Sequence, residues 1–514
     1  MEQLIRRAFS PKNGRIDILF IFPPTTIAER YGKNSVGDSG GDLPPLGISY
    51  IASYLRENGF GVGILDCCAL GLSFRKISEI IRDYDPKCIG ISATTFALPT
   101  AVQLSEKIRA EFPEKLLILG GAHANAVPEH PMETYDCFDL VVYGEGEGTT
   151  KELLEIYRNK KFCKSDLLSD EDALNTVQGI VYKNRDRIVK TTPRPIIRDL
   201  DSLPFPARDL LPYEKYIPLP NQYKKTPLAH MVVIRGCPFV CGFCDQARTT
   251  VRSMSPKKAV EEIQWLKENY GVREISFWDD TMSYNKKWMR EFCELLIEAK
   301  LRIIWSCYGA IRTLDWPMLK LMKKAGCWNI FYGIETGHPE LMKNIQADKK
   351  NVDADMIRKV VAWTKQAGIE IRGSFMIALP GETPKLAEET IQFAIELEPE
   401  YAQFSITTPY PGTQLYDEIK AGKWGHLTTD DFSEFQGWNV VFLPEGYRNK
   451  EEVWEIERKA FRSFYFRPKF ILKKLFTTRS ITDIKRYFKG LNLLIQGFAY
   501  GPMPPHIREA TGRN

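Results

Sequence analysis

No apolar run in this 514-residue sequence approaches the ~18–20 residues that span a bilayer. The opening stretch MEQLIRRAFSPKNGRIDILFIFPP also reaches Pro23-Pro24 without a small-residue cleavage site, so the chain reads as cytoplasmic. A large surplus of either charge is missing as well: 70 Lys and Arg against 65 Asp and Glu leave a net +5, which argues against a general nucleic-acid-binding protein. Nor is the composition extreme. With 44% apolar and 26% charged residues, disorder and collagen-like or coiled-coil architectures are excluded, and a chain of this length should hold two to four globular domains. Cysteine, by contrast, is present in an odd number, eleven, with Cys67 and Cys68 adjacent. That does not resemble a secreted disulfide framework and predicts reduced thiols or metal ligands.

Over residues 1–150, short apolar runs alternate with amphipathic stretches: IDILFIF (16–22), LGISYIASYLRENG (46–59), GVGILD (61–66), FRKISEIIRDY (74–84), CIGISA (88–93), TAVQLSEKIRAEF (100–112), LLILGG (116–121) and LVVYGEG (140–146). Continuous apolar strands without period-2 alternation predict an α/β domain with a doubly wound parallel sheet, buried on both faces and binding ligands at the carboxyl ends of its strands. The Gly-rich segment 24–47 reads as a mobile ligand flap or as a surface excursion. Residues 151–225 read as a connector with a charged helix (151–161), a hairpin (179–190) and proline-punctuated coil. A second βα series occupies 226–440, with strands at 230–236, 274–280, 302–310, 327–335, 369–378 and 401–411. Six such units are too few for an eight-stranded barrel. They predict an open, partial (βα)6 barrel with its active site at the strand C-termini, followed by helices over 441–514.

Directly after the first barrel strand stands RGCPFVCGFC, with Cys237, Cys241 and Cys244 spaced C-x-x-x-C-x-x-C. Three thiolates on one loop can bind three corners of an iron-sulfur cubane and leave one iron open for chemistry. A zinc site completed by a distant Cys or His is the alternative, although no second C-x-x-C pair follows.

With Phe243 just before the last cysteine, the motif resembles the radical S-adenosylmethionine (SAM) enzymes. FWDDTM (277–282), GIETG (333–337), FMIALPGET (375–383) and TPYPGTQLY (408–416) resemble, in the same order, the cobalamin-binding subgroup of that family. The resemblance implies a [4Fe-4S] cluster on Cys237, Cys241 and Cys244, with SAM on the fourth iron and cleaved reductively to a 5′-deoxyadenosyl radical. It places Phe243 in the SAM site. Glu335 would accept hydrogen bonds from the SAM ribose or amino group, or else act as an N-cap or ion-pair partner. Asp279, beside Asp280, would meet a cofactor or cap the following helix, and Gly373 with the Pro380–Thr383 turn would let backbone approach SAM. Arg312 would face the SAM carboxylate or make a surface ion pair. Cys293, Cys307 and Cys327, singly placed, read as small buried residues.

In that subgroup the doubly wound domain binds cobalamin, so Ser92, Thr94, Gly120 and Gly121 are expected to receive its nucleotide tail. The D-x-H-x-x-G of methionine synthase-type modules is absent from FPPTTIAERYG. The cobalt is therefore expected to lack a histidine ligand, with a residue near Thr25–Tyr31 below it and His123 a remoter candidate. Cys68, in DCCALG, follows the wrong strand to replace it. The implied activity is methylation of an unactivated carbon, with methylcobalamin as methyl source, a second SAM to remethylate the cobalt, and a ferredoxin- or flavodoxin-like electron donor. An anaerobic oxidative cyclase without net methyl transfer, and a non-catalytic cobalamin or iron-sulfur sensor, stay open. Between Arg458 and Lys489 eleven Lys or Arg accompany one acid, Asp483. Within it RKAFRSFYFRPKFILKKLF (458–476), interrupted by Pro468, mixes aromatic, aliphatic and basic residues; such a run can lie on an anionic membrane surface, which would suit a lipid substrate, or it can cap the barrel as packed helices.

Overall fold

The computed structural model describes residues 1–25, 41–185, 187–346 and 352–477. Most of the expected flap, 26–40, and the basic stretch beyond residue 477 lie outside the described residues. The first sheet is built from β1 (Phe9–Ser10), β2 (Ile18–Phe22), β3 (Val62–Asp66), β4 (Cys88–Ser92), β5 (Leu116–Gly120), β6 (Leu140–Val142), β7 (Ile180–Asn184) and β8 (Arg187–Lys190), in spatial order β1-β3-β2-β4-β5-β6-β7-β8. From β3 to β6 every pairing is parallel. The strands are apolar throughout because both faces are covered. Helices Phe74–Tyr84 and Leu98–Glu111 share one core with Leu19, Ile21, Ile89 and Leu117, and helices Leu46–Glu57 and Gly146–Asn159 share the other with Ile18, Phe20, Val62 and Leu116. The order reverses at β2, which opens a crevice at the carboxyl ends of β2 and β4, the usual ligand position in such sheets.

Two boundaries differ from the sequence reading. The charged helix begins at Gly146 rather than residue 151, directly off β6. The hairpin read as part of a connector is hydrogen-bonded into the first sheet, where β7 pairs antiparallel with β6 and buries Ile180, Val181 and Tyr182. Without it the apolar edge of β6 would be open.

The second sheet holds β9 (Leu228–Met231), then, past a two-residue pair formed by β10 (Ile234–Arg235) and β11 (Arg252–Ser253), β12 (Glu274–Phe277), β13 (Ile304–Gly309), β14 (Cys327–Glu335), β15 (Glu370–Ile377) and β16 (Tyr401–Ile406). Its order is β16-β15-β14-β13-β12-β9, with all neighbours parallel: the expected open six-stranded barrel. Alternate residues point outward into one core shared with the surrounding helices, among them Ile275, Phe277, Trp305, Ile330, Tyr332, Phe375 and Phe404. Cys293, Cys307 and Cys327 are buried in that layer, as expected of small apolar side chains.

Helix Lys450–Tyr465 lays Val453, Ile456, Ala460 and Phe464 on the barrel, and Tyr465 Oη donates to Ala402 O at 2.8 Å. Of the run from residue 458 that the sequence offered to a membrane surface, Ala460, Phe464 and Phe470 join the barrel core, while Phe466, Ile471 and Leu472 are exposed. Among the described residues no helix is long and apolar enough to cross a membrane.

Candidate active site

The cysteine loop leaves β10 through Gly236, whose φ is +90° and where a Cβ would stand 2.3 Å from Thr250 O, so only glycine fits. Backbone bonds then clamp the loop from several sides. Cys237 N donates to Thr249 Oγ1 (2.8 Å), Thr249 N to Cys237 O (3.0 Å), Gly242 N to Ile345 O (2.7 Å) and Leu415 N to Gly242 O (2.8 Å). Phe243 is a wedge between two apolar clusters, Leu341, Ile345, Met376 and Leu379 on one side and Leu415, Ile419 and Phe442 on the other. Its ring anchors the loop. Cys237 is buried, with Sγ 3.6 Å from Thr281 Oγ1, while Cys241 and Cys244 are partly exposed. Burial pushes the Cys244 thiol up to about 12, so a thiolate there needs a cation. Among the described residues no three His, Cys, Asp or Glu side chains converge on a point fit for a single ion. A cubane takes each thiolate on a different iron and asks for no such convergence, whereas zinc requires it.

The carboxylates act on the same loop. Asp279 Oδ1 accepts from Val233 N (2.6 Å) and Ile234 N (2.5 Å), and Asp280 Oδ2 accepts from Gly236 N (3.2 Å). Both hold the backbone that leads into Cys237. Burial raises the Asp279 carboxyl to about 7, and its Oδ2 has no partner among the described residues. Glu335 ends β14 in a left-handed conformation (φ +61°), its carboxylate folded back over Gly333, where a Cβ would lie 2.5 Å from Oε1. Gly373 is placed otherwise than expected. Its missing Cβ points at Phe375 and Ile334, in the outer core, and not toward the barrel interior. The Arg312 guanidinium stands over Phe239 of the cysteine loop at 5.4 Å.

The interior carries residues that the sequence reading did not single out. His230, Trp278, Tyr308 and Phe331 form a row across β9 to β14, with ring centroids 5.7, 5.7 and 4.8 Å apart in turn. Arg372 on β15 continues it, its guanidinium 5.2 Å from the Phe331 ring. The available signal was period-2 alternation along NIFYGIE (329–335), masked because both faces contain apolar residues.

In the first domain, Ser92 and Gly120 are register partners at the ends of β4 and β5. At Gly121 (φ +97°) a Cβ would come within 2.8 Å of Ala93 N, Ala93 O and Ser92 Oγ. Beside this cradle Thr94 Oγ1 is buried without a partner among the described residues. A narrow slot with an unsatisfied hydroxyl suits a polar tail threaded between strands. His123 is fully buried with Nδ1 against Thr95 Oγ1 (3.3 Å) and Nε2 against His130 Nδ1 (3.2 Å), which leaves neither ring nitrogen for a metal. Cys68 Sγ is bonded to Thr25 O at 2.7 Å. Of the segment Thr25–Tyr31, only Thr25 is among the described residues.

The tip after β6 bridges the two domains. Glu145 Oε1 accepts from Arg235 Nη1 (3.0 Å) and Arg252 Nη1 (2.7 Å), and Glu147 Oε1 from Arg235 Nη2 (2.7 Å), so both arginines that flank the cysteine loop are tied to the first sheet.

Residues 32–154 match the B12 binding domain family and residues 231–394 the radical SAM superfamily. The chain is 35% identical to an uncharacterized methyltransferase of Pyrococcus horikoshii over 477 residues, 92% of this chain and 97% of that protein. It is 27% identical to the anaerobic magnesium-protoporphyrin IX monomethyl ester cyclase of Rubrivivax gelatinosus, over 84% of this chain and 75% of that one. Among solved structures, the radical SAM methyltransferase TsrM of Kitasatospora setae, with cobalamin and a [4Fe-4S] cluster bound, has a TM-score of 0.65 at 14% identity and covers 94% of this chain and 99% of its own, a shared fold.

Proposed function

The chain belongs to the cobalamin-dependent radical SAM enzymes, and from that premise we propose that it is a methyltransferase acting on an unactivated carbon of a small-molecule substrate held at the barrel. The observation that carries this reading is the clamped loop of Cys237, Cys241 and Cys244 at the barrel mouth, tied through Arg235 and Arg252 to the sheet that bears the Thr94 and Gly121 slot. Bound at these two places, the cluster with SAM would supply an adenosyl radical and the cobalamin a methyl group. The three cysteines hold the cluster. Asp279 and Asp280 fix the strand exit that orients them, and Ser92, Thr94, Gly120 and Gly121 receive the cobalamin tail. The interdomain ion pairs keep the two reacting centres at a set separation, which turns a chance encounter into a positioned one. A ferredoxin- or flavodoxin-like protein supplies the electron.

Anaerobic reconstitution with hydroxocobalamin should yield about four irons and one cobalt per chain. Cys237→Ala should lose the iron and keep the cobalt. Iron without cobalt in the unaltered chain would overturn methyl transfer. The resemblance to the cyclase favours a second reading, oxidative ring closure without net methyl transfer. Products separate the two: methyl transfer releases S-adenosylhomocysteine alongside 5′-deoxyadenosine, cyclisation the latter alone.

A further inference from the structure

Among the described residues Arg372 is a cation without a counterion. It is 5% exposed, on the inner face of β15, and its single hydrogen bond runs from Nε to Asn329 Oδ1 at 2.8 Å. Asn329 is itself fixed, since its Nδ2 donates to Glu370 O at 3.2 Å. No carboxylate lies within ion-pair reach of the guanidinium among the described residues. Glu274, the buried carboxylate whose field reaches it, is occupied by Lys224 N, Lys225 N and Trp328 Nε1. Among the described residues the terminal nitrogens of Arg372 have no acceptor, yet they are not sealed off as the orphaned nitrogens of Arg208 are, so on the inner face of β15 they open onto the barrel interior.

Placing an unpaired charge in such a site is costly. Burial accordingly holds the Arg372 pKa below that of an ordinary arginine. Elsewhere the same fold gives a buried arginine a carboxylate, as Arg208 with Glu262 at 2.7 Å shows. Beside Arg372 the inner face is aromatic and half-open. Tyr308 and Phe331 are half-buried while their outward-facing neighbours Cys307, Ile330 and Tyr332 are fully buried, and Phe331 is the register partner of Arg372.

We propose that Arg372, held by Asn329 and flanked by Phe331, Tyr308 and Trp278, is a specificity-determining anion receptor for the substrate, which carries an oxyanion, carboxylate or phosphate, joined to a planar unsaturated group. This inference rests on the radical SAM reading for the presence of a substrate in the barrel. Another oxyanion available to such an enzyme is the carboxylate of SAM. Arg372 is the third residue of β15, about 16 Å of strand before its carboxyl end at Ile377, where the barrel mouth lies. Glu335, which the resemblance gives to SAM, stands four residues nearer the mouth on β14 than Phe331, the register partner of Arg372, and that separation assigns the cation to the substrate.

The test uses naphthoate, naphthyl phosphate and neutral naphthamide as probes of the anaerobically reconstituted holoenzyme, with calorimetric titration of each and of SAM. The unaltered protein should bind naphthoate or naphthyl phosphate saturably and about tenfold or more tighter than naphthamide, the scale of a lost charged hydrogen bond. Whichever anion is preferred identifies the carboxylate or the phosphate. Arg372→Gln should abolish the preference and Arg372→Lys keep part of it, with SAM affinity unchanged. Should Arg372→Gln fail to fold, Asn329→Asp serves in its place: it leaves the arginine but pairs it internally, and should remove the preference as well. Equal binding of charged and neutral probes by the unaltered protein, or a preference that survives both Arg372→Gln and Asn329→Asp, would overturn the proposal. So would a tenfold loss of SAM affinity in Arg372→Gln, which would give the cation to SAM. Failure of the cofactor reading shows separately, as missing iron or cobalt.

Discussion

At Gly121 a side chain has nowhere to go. Its φ of +97° and ψ of −169° lie in a region reserved for glycine, and a Cβ would meet three atoms at 2.8 Å. Gly121→Ala should cost ~1–3 kcal/mol of stability and close the slot beside Thr94, so cobalt per chain should fall while iron holds. A parallel loss of both would point to general unfolding instead. Small residues after β4 and β5 were legible as a pattern. That Thr94 Oγ1 is buried and unpartnered among the described residues was not, because burial depends on what other elements bring to it. Asp279 shows the converse. Its type and place were visible, but its donors, Val233 N and Ile234 N, come from the neighbouring strand's exit more than forty residues away. Those close amides, rather than a helix cap, claim the carboxylate.

Among the elements, the turn after β15 depends on one buried acid. Glu382 is fully buried, and its Oε1 accepts from Ala378 N, at a residue with φ +61°, and from Tyr447 Oη. Its Oε2 has no partner among the described residues, and desolvation raises the carboxyl to about 8. An unfolded glutamate titrates near ~4.3. Between these values the folded state keeps a proton that the unfolded state has given up. The contribution is therefore full at low pH and declines as pH rises through about 8, by up to ~1.4 kcal/mol per pH unit. Glu382→Gln mimics the protonated acid, so denaturant midpoints at pH 5.5 and 7.5 should lie closer together than in the unaltered protein. An unchanged difference would show that the carboxyl ionises inside the fold. The sequence located this turn through Pro380-Gly381-Glu382-Thr383, but the Tyr447 partner comes from a distant segment. Along β14 the same limit applies: Asn329, Phe331 and Glu335 face inward only because the outward set, Ile330, Tyr332 and Ile334, matches the helices.

For the whole molecule, the decisive contact is the one between the domains. Glu145 serves Arg235, Arg252 and Ile197 N (2.7 Å) at once, in a half-buried setting where charged hydrogen bonds contribute ~1.5–3 kcal/mol. Glu145→Ala should speed amide exchange around residues 144–149 and 234–237 by about tenfold or more while leaving the rest of both sheets protected. Uniform loss of protection would instead mark a fold that has failed throughout. The segment 144–147, at the carboxyl end of β6 where such sheets bind ligand, is a tether, since each glutamate finds a guanidinium brought by the other domain. The C-terminal run teaches the same lesson: its apolar residues are compatible with lipid or protein, and only the fold shows Ala460, Phe464 and Phe470 turned to the barrel with Phe466, Ile471 and Leu472 left exposed. By itself the sequence determined the two α/β layers, the number and order of the barrel strands and the three cysteines, because those are written in local periodicity and spacing. Only the tertiary structure decided which inward residues meet, that Arg372 is left without a counterion among the described residues, and that Gly373 faces outward. Such facts depend on distances between segments remote in the chain, and no local pattern encodes them.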